Sequence, residues 1–335
     1  MTRTVLSSVT RISDLDSDAY DIDALDSSAW ATGDYVVCEV TGKPTRLYHV
    51  ETPEGEMTQV VADDRVIGAL GDRAATLEGV GSWRDVQDGH MSAMTSAGLF
   101  GHLSSISALL PRTMSLDYVG HVVRNSNKVR MRDFALRDTE PEFATPTLLL
   151  VGTSMSAGKT ETGKLACRLL TESGRKVMGA KLTGAGRYRD ILSFKTAGAA
   201  EICDFVDVGL PSTVVPEEEF RNAIRPLLSY IQSREPDVLV AEAGASPLEP
   251  YNGDAAIDEL GDNIRCTILC ASDPYAVVGV QKAFGLTPDL VTGPATNTSA
   301  AVALVEKLTG VRGINIIDPA CEDEFRDFLF GKFGA

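Results

Sequence analysis

The residues best suited to chemistry in this sequence form a glycine-bounded loop that ends in Gly-Lys-Thr. The loop covers residues 152–160 and reads Gly-Thr-Ser-Met-Ser-Ala-Gly-Lys-Thr. Gly158 lets the backbone approach a ligand closely, and loop N–H groups beside a helix N-terminus hold negative charge. Lys159 would reach the β- and γ-phosphates of a nucleotide, and Thr160 would offer its hydroxyl to Mg²⁺. The pattern predicts a loop that binds the phosphates of ATP or a similar ligand.

We predict that the cofactor contacts the whole loop and one residue beyond it. The predicted cofactor-binding residues are Gly152, Thr153, Ser154, Met155, Ser156, Ala157, Gly158, Lys159, Thr160, Glu161 and Asn297. The strict pattern has a glycine five residues before Gly158, where this chain has Thr153; the glycine stands one step earlier, at Gly152. No base accompanies Ser154 and Ser156, so we predict that they contact phosphate and are not nucleophiles.

Three charged residues further along the chain could complete the site. Lys181 and Glu242 end apolar runs typical of buried strands, and Asp190 follows Lys181 after nine positions. Lys181 would add a second positive charge near the phosphates, and Glu242 would bind Mg²⁺ or orient water. The predicted catalytic residues are Lys159, Lys181 and Glu242. The predicted Mg²⁺ ligands are Thr160, Glu242 and Asp190.

The elements that must position these residues are those of an α/β domain. After residue 146, apolar runs alternate with helical stretches, which indicates a mostly parallel, doubly wound sheet with helices on both faces. The predicted strands are 147–152, 176–182, 237–242, 266–270 and 314–317. The predicted helices are 161–173, 216–233, 274–284 and 298–308. Ligands collect at the carboxyl ends of such strands, where the candidate residues lie.

The N-terminal part of the chain has the texture of short β-strands. Runs at 35–40, 46–50 and 57–61 are separated by turn residues at 41–44 and 53–55, which favours a small barrel or sandwich. Residues 1–30 are acidic and predicted to be loosely ordered, and they lack the glycine and glutamate spacing of a calcium loop. Residues 80–140 show no clear pattern. We predict a smaller β-rich domain at 1–142 and a P-loop nucleotide-binding domain at 146–335.

The loop with its displaced glycine resembles that of the dethiobiotin synthetase-like group of P-loop proteins. Ala-Lys-Leu-Thr-Gly at 180–184 is similar to that group's Lys-Pro-x-x-Thr-Gly segment, with Leu182 where proline is usual. Val-Ala-Glu-Ala-Gly-Ala at 240–245 is similar to its Val-Glu-Gly-Ala-Gly-Gly segment. The resemblance covers about residues 147–317. It implies ATP- and Mg²⁺-dependent activation of a small carboxylate or similar acceptor, held between 181–184 and 243–246, in a possible homodimer.

The resemblance extends to a related, largely uncharacterised P-loop family whose loop follows a different N-terminal domain. Segments 288–293 and 295–298 are similar to the C-terminal part of that family. Some of its members are associated with N-acylation of amino acids, so one alternative is an acyltransferase that holds CoA phosphates in the loop. A further alternative is a non-enzymatic nucleotide-dependent regulator. Dimerising switch ATPases carry a second lysine near the start of the loop, where this chain has Thr153 and Ser154.

Composition limits the classes of partner. The 335 residues carry a net charge of −16, which argues against the broad basic face that nucleic acids require. No apolar run approaches the roughly 20 residues of a membrane helix. We therefore expect a cytoplasmic protein with a small-molecule substrate and with neither a nucleic-acid nor a membrane partner.

Three groups of residues are not given a functional role. The spacing of His90, His102 and His121 matches no zinc-ligand pattern. A basic run precedes residue 141 and is predicted to be a solvated face; it comprises Arg124, Lys128, Arg130 and Arg132. The six cysteines form no C-x-x-C pair and are predicted to be reduced, mostly buried thiols.

Overall fold

The computed structural model describes residues 3–16, 19–42, 48–244 and 246–334, and the chain divides into two compact units. The first unit comprises Met1–Arg137, Ala185–Arg189 and Phe205–Glu219. The second unit comprises Asp138–Gly184, Asp190–Asp204 and Phe220–Ala335. The first unit thus includes two short segments from the C-terminal half of the sequence.

Short strands dominate the first unit. They are β1 (Thr4–Leu6), β2 (Asp21–Asp23), β3 (Tyr35–Thr41), β4 (His49–Glu51), β5 (Met57–Gln59), β6 (Arg65–Leu70), β7 (Asp72–Ala75), β8 (Gly79–Ser82), β9 (His90–Ala93), β10 (Leu99–Ile106), β11 (Ser115–Arg124) and β12 (Asn127–Lys128). The prediction of a β-rich N-terminal part is confirmed. Residues 80–140, which showed no clear pattern, supply β9 to β12 and most of β8.

Five of these strands pair in a closed ring. The order is β6, β3, β11, β9 and β10, and β10 returns to β6 in a parallel pairing. Closure leaves no free edge within the ring, and the inward side chains form a packed apolar core. Val36, Cys38, Val66 and Phe100 are among the buried core residues. Of the two architectures that the sequence favoured, a barrel or a sandwich, this unit has the barrel.

The prediction that residues 1–30 are loosely ordered is wrong. β1 pairs in parallel with β6, and β2 pairs antiparallel with β11. The prediction gave weight to the acidic residues and overlooked the apolar residues in the same segment. Val5, Val9 and Leu15 are buried. Packing of these side chains outweighs the local charge density. Asp18 of the acidic cluster and residues 43–47, which fall in a predicted turn and strand, lie outside the described residues.

The second unit is built on a six-stranded parallel sheet. Its strands are β13 (Thr147–Gly152), β14 (Val177–Thr183), β15 (Glu201–Asp204), β16 (Val238–Ala243), β17 (Ile264–Cys270) and β18 (Leu290–Thr292), in the order β15-β14-β16-β13-β17-β18. The helices after residue 146 are α1 (Lys159–Glu172), α2 (Tyr188–Thr196), α3 (Glu217–Ser233), α4 (Gly253–Leu260), α5 (Pro274–Phe284), α6 (Ser299–Thr309) and α7 (Glu322–Phe333). The predicted α/β class is confirmed.

One predicted strand is wrong and several elements were not predicted. Residues 314–317 form no strand; Gly313 makes an isolated bridge to Val291, and Ile317 is exposed. The adjacent apolar residues Ile316 and Ile317 are too few to form a strand. Instead, the side chain of Asn315 accepts a hydrogen bond from the N–H of Ile317 in a turn. The sixth strand is instead β18.

Within the described ranges no helix combines the length and hydropathy needed to cross a bilayer. All six cysteines are free thiols, five of them buried.

Candidate nucleotide-binding site

The glycine-bounded loop joins the buried strand β13 to helix α1, as the sequence predicted. β13 lies between β16 and β17, so its carboxyl end opens at the middle of the sheet. Gly158 precedes the first helical residue and has φ +96°, the left-handed conformation that glycine adopts without strain. The loop therefore delivers the N-terminus of α1 to the edge where ligands bind in parallel sheets.

Lys159 is folded into this loop and almost completely removed from solvent. Only 2% of the residue is exposed, and its Nζ donates a hydrogen bond of 2.8 Å to the carbonyl of Ser154. Burial lowers the pKa of Lys159, and the negative charge of Glu242 opposes that shift. The side chain is thus a buried lysine whose amine is held against the loop backbone.

Thr160 and Glu242 are brought together from α1 and β16. Glu242 is buried near the end of β16, the direct neighbour of β13, where it lies opposite Leu150. The Oγ1 of Thr160 donates to Glu242 Oε2 at 3.3 Å. A hydroxyl and a carboxylate are ligands that Mg²⁺ accepts while it keeps water and phosphate oxygens as its others. Within the described ranges, no group of three or more His, Cys, Asp or Glu side chains could hold a metal.

Lys181 and Asp190 lie beside this pair. Lys181 is opposite Glu242 across the β14–β16 pairing, and its Nζ lies 2.6 Å from Asp190 Oδ2. Burial alone would lower the pKa of Lys181, but Asp190 and Glu242 outweigh it and the net shift is upward. Lys181 is therefore a charged ammonium. Asp190, predicted as a metal ligand, here pairs with that ammonium.

The remaining loop residues hold the loop in place or line its surface. The N–H of Thr153 donates to the carbonyl of Cys270 at 3.0 Å, and its hydroxyl accepts from the N–H of Ser272 at 3.0 Å. Ser154 is buried and Ser156 is exposed. The loop start is thus tied to the end of β17, the neighbouring strand.

The other predicted cofactor residues lie on or around the loop. Gly152 ends β13, Met155 is partly exposed and Ala157 is buried. Glu161 lies in the first turn of α1 and pairs with Lys164 at 3.0 Å. Asn297 is exposed after the 3-10 turn that follows β18, and its carbonyl accepts from Asn315 at 3.2 Å.

The predicted place for an acceptor needs correction. The Thr183 hydroxyl donates to the Gly244 carbonyl at 3.1 Å. A Cβ at Gly244 would lie 2.1 Å from the backbone carbonyl oxygen of Thr183. The two backbones are in direct contact and leave no room for a molecule between them. An acceptor would have to lie over this edge. Ala245, in the same predicted segment, lies outside the described residues.

Sequence reasoning missed the support that the loop receives from β18. Gly293 follows β18 with φ +86°, and a Cβ there would lie 2.3 Å from the carbonyl oxygen of Ala157. Beneath the loop, Thr162, Cys270 and Thr292 form a buried hydrogen-bonded cluster. The signal available was a glycine directly after the strand-forming run Leu-Val-Thr, at residues 290–292.

No protein-family model matches the chain, and no curated protein matches it significantly. Among solved structures, chloroplast FtsY from Physcomitrella patens is 15% identical (TM-score 0.36), over 60% of this chain and 70% of that one. The hydrogenase maturation factor HypB from Archaeoglobus fulgidus is 18% identical (TM-score 0.39), over 61% and 95%. A DUF1611 family protein from Anabaena variabilis is 14% identical (TM-score 0.38), over 56% and 58%.

These similarities are too low to carry an argument about function, which therefore rests on the site. A buried central strand, a loop ending in Gly-Lys-Thr and a helix that starts at the lysine are the parts of a phosphate-binding loop. The second unit has the fold of a P-loop nucleotide-binding domain.

Proposed function

We propose that this chain is an ATP- and Mg²⁺-dependent enzyme that activates a small carboxylate or similar small acceptor by phosphoryl transfer. One observation carries the proposal. Two buried lysines, a buried glutamate and a threonine hydroxyl meet at the carboxyl edge of one sheet: Lys159, Lys181, Glu242 and Thr160. A site that only held a diphosphate would not need the pairing of Thr160 with Glu242.

Each side chain has a role that its surroundings allow. Lys159 and Lys181 would steady the negative charge of the transferring phosphoryl group, which a buried, preorganised cation does more effectively than one in water. Thr160 and Glu242 would hold Mg²⁺, which neutralises charge on the phosphate oxygens. The γ-phosphoryl group would pass to an acceptor oxygen; with a carboxylate this yields ADP and an acyl phosphate.

Calorimetric titration with ATP, GTP and acetyl-CoA, each with and without Mg²⁺, tests the proposal. We expect Mg²⁺-dependent ATP binding that Lys159→Met weakens by at least an order of magnitude, since a buried charge pair with phosphate is lost. Lys164→Met is the matched control, because it removes a partly exposed lysine from the same helix. Metal-independent binding of acetyl-CoA without any response to ATP would favour the acyltransferase alternative. If the protein preferred GTP, the loop would still be a nucleotide-binding site, but ATP would not be its ligand.

A further inference from the structure

Three buried side chains form a hydrogen-bonded cluster directly beneath the phosphate loop. Thr162 belongs to α1, Cys270 ends β17 and Thr292 ends β18, and all three are fully buried. The two threonine hydroxyl oxygens are 3.0 Å apart. The sulfur of Cys270 lies 3.4 Å from the Thr162 hydroxyl and 3.3 Å from that of Thr292. The cluster connects the first turn of α1 to two neighbouring strands.

Counting protons fixes the direction of these hydrogen bonds. The Thr162 hydroxyl lies 3.1 Å from the carbonyl of Gly158, which can only accept, so the single hydroxyl proton of Thr162 is used there. Thr292 must therefore donate to Thr162. Burial raises the pKa of Cys270, so its thiol keeps its proton and donates it to the Thr162 hydroxyl. Every proton in the cluster then has an acceptor, and the chain of donors ends on Gly158.

The orientation of the Gly158 carbonyl fixes the direction of the Lys159 N–H, which belongs to the same peptide unit. In a planar trans peptide the C=O and the following N–H point in opposite directions. The carbonyl of Gly158 accepts both the hydroxyl and the N–H of Thr162, the latter at 3.0 Å, and so points along α1. The N–H of Lys159 must then point off the start of the helix, where a phosphate would bind.

We propose that Thr292 is a positioning residue for the phosphate loop, acting through Thr162 and the Gly158 carbonyl to aim the Lys159 N–H at a bound phosphate. The inference rests on the proposed nucleotide-binding function of the loop. Thr292 ends β18, whereas the loop follows β13, and its side chain is fully buried. Its hydroxyl is the outer member of a relay that ends on the peptide between Gly158 and Lys159.

Thr292→Val removes the hydroxyl while it keeps the shape of the side chain. We expect it to weaken ATP·Mg²⁺ binding about five-fold, the effect of one net hydrogen bond. It should also move the amide ¹⁵N–¹H resonance of Lys159 in the nucleotide-free protein. Thr147→Val is the matched control: it deletes another buried hydroxyl, which bonds the Thr145 carbonyl at the amino end of β13, and should change neither quantity.

A second pair of variants keeps the test decisive if valine disturbs the fold. Thr292→Ser and Thr292→Ala lose the same methyl group and differ only in the hydroxyl, so serine should retain the affinity and the resonance and alanine should not. The double variant Thr162→Val with Thr292→Val should bind ATP no more weakly than Thr162→Val alone, because the relay is already broken. Additive losses, or an unmoved Lys159 resonance in Thr292→Ala, would overturn the inference. If the unaltered protein binds no nucleotide, the proposed function fails, while the resonance of the free protein still tests the relay.

Discussion

Lys159 is a lysine held out of water beside a carboxylate, and this sets how its charge responds to pH. Burial lowers its pKa, and Glu242 compensates in part. An isolated buried ion costs several kcal/mol, so a cation in this position is tolerated where a negatively charged ligand is expected to join it. Lys181 differs, because its carboxylate partners keep it protonated.

ATP binding should therefore take up a proton at alkaline pH. A bound phosphate raises the pKa of Lys159 again, because it favours the charged form. Above the lowered pKa of the free protein the lysine is neutral, so affinity should fall as pH rises, by up to about ten-fold per pH unit. Calorimetry in buffers with different ionisation enthalpies measures the uptake. Lys159→Arg is the control, because arginine stays protonated; equal uptake in that variant would assign the proton to another group.

Glu242→Gln tests the metal role at the same scale. The amide keeps the size of the side chain and can still accept from Thr160, but it lacks the charge that attracts Mg²⁺. We expect the enhancement of ATP binding by Mg²⁺ to drop by at least ten-fold, with little loss of metal-free binding. Glu306→Gln, an exposed change on α6, should leave both unchanged. Full Mg²⁺ enhancement in Glu242→Gln would exclude this carboxylate as a ligand.

At the scale of elements, sequence periodicity predicts the long buried strands, but it does not predict short strands or contacts that depend on tertiary packing. β13 has its predicted bounds because its residues are buried on both faces and read as a continuous apolar run. The N-terminal strand β1 was hidden, since a three-residue strand beside an acidic cluster gives no periodic signal. The candidate site residues were predicted from their place at strand ends. The pairing of Asp190 with Lys181 was not predicted, because it depends on the position of α2.

The close approach of Gly293 to the loop gives an element-scale prediction. Gly293→Ala would force a positive φ on alanine and press its Cβ against the Ala157 carbonyl. We expect a loss of roughly 2–4 kcal/mol in unfolding free energy from backbone strain and overpacking together, and weakened ATP binding. Urea denaturation and nucleotide titration measure the two effects.

Gly285→Ala provides the comparison for that experiment. Gly285 also has a positive φ, at +73°, but no atom lies within 4 Å of a Cβ built there. It should therefore show only the strain, roughly 1–2 kcal/mol, and normal ATP affinity. If the two variants behaved alike, the contact with Ala157 would have no separate effect on the loop.

At the scale of the whole molecule, the two units do not follow the order of the chain. The first unit contains residues 185–189 and 205–219, and buried polar groups of its N-terminal part bond to them. Glu51 is fully buried, and its carboxylate accepts the N–H groups of Tyr188 at 2.8 Å and Arg189 at 3.0 Å. Arg11 pairs with Asp207 at 3.1 Å.

A fragment of residues 1–142 should therefore fail to fold as a stable unit, although the sequence predicts a domain with these bounds. It keeps all the barrel strands but leaves the carboxylate of Glu51 without two of its donors, and a buried charge that loses hydrogen bonds costs several kcal/mol. Circular dichroism during heating and the dispersion of the amide NMR spectrum would show this. Cooperative unfolding of the fragment at the midpoint of the full chain would contradict the prediction.

The interrupted first unit also has a consequence for how the protein is made. A ribosome releases the barrel strands first, yet the last residue of that unit, Glu219, emerges 82 residues after Arg137 (219 − 137). Domains commonly fold from the N-terminus as they are synthesised. Here the first unit lacks its last segments, 185–189 and 205–219, until after the strand and loop of the candidate site have been translated. Completion of the first unit during synthesis therefore follows translation of the phosphate loop, which links the two units in time.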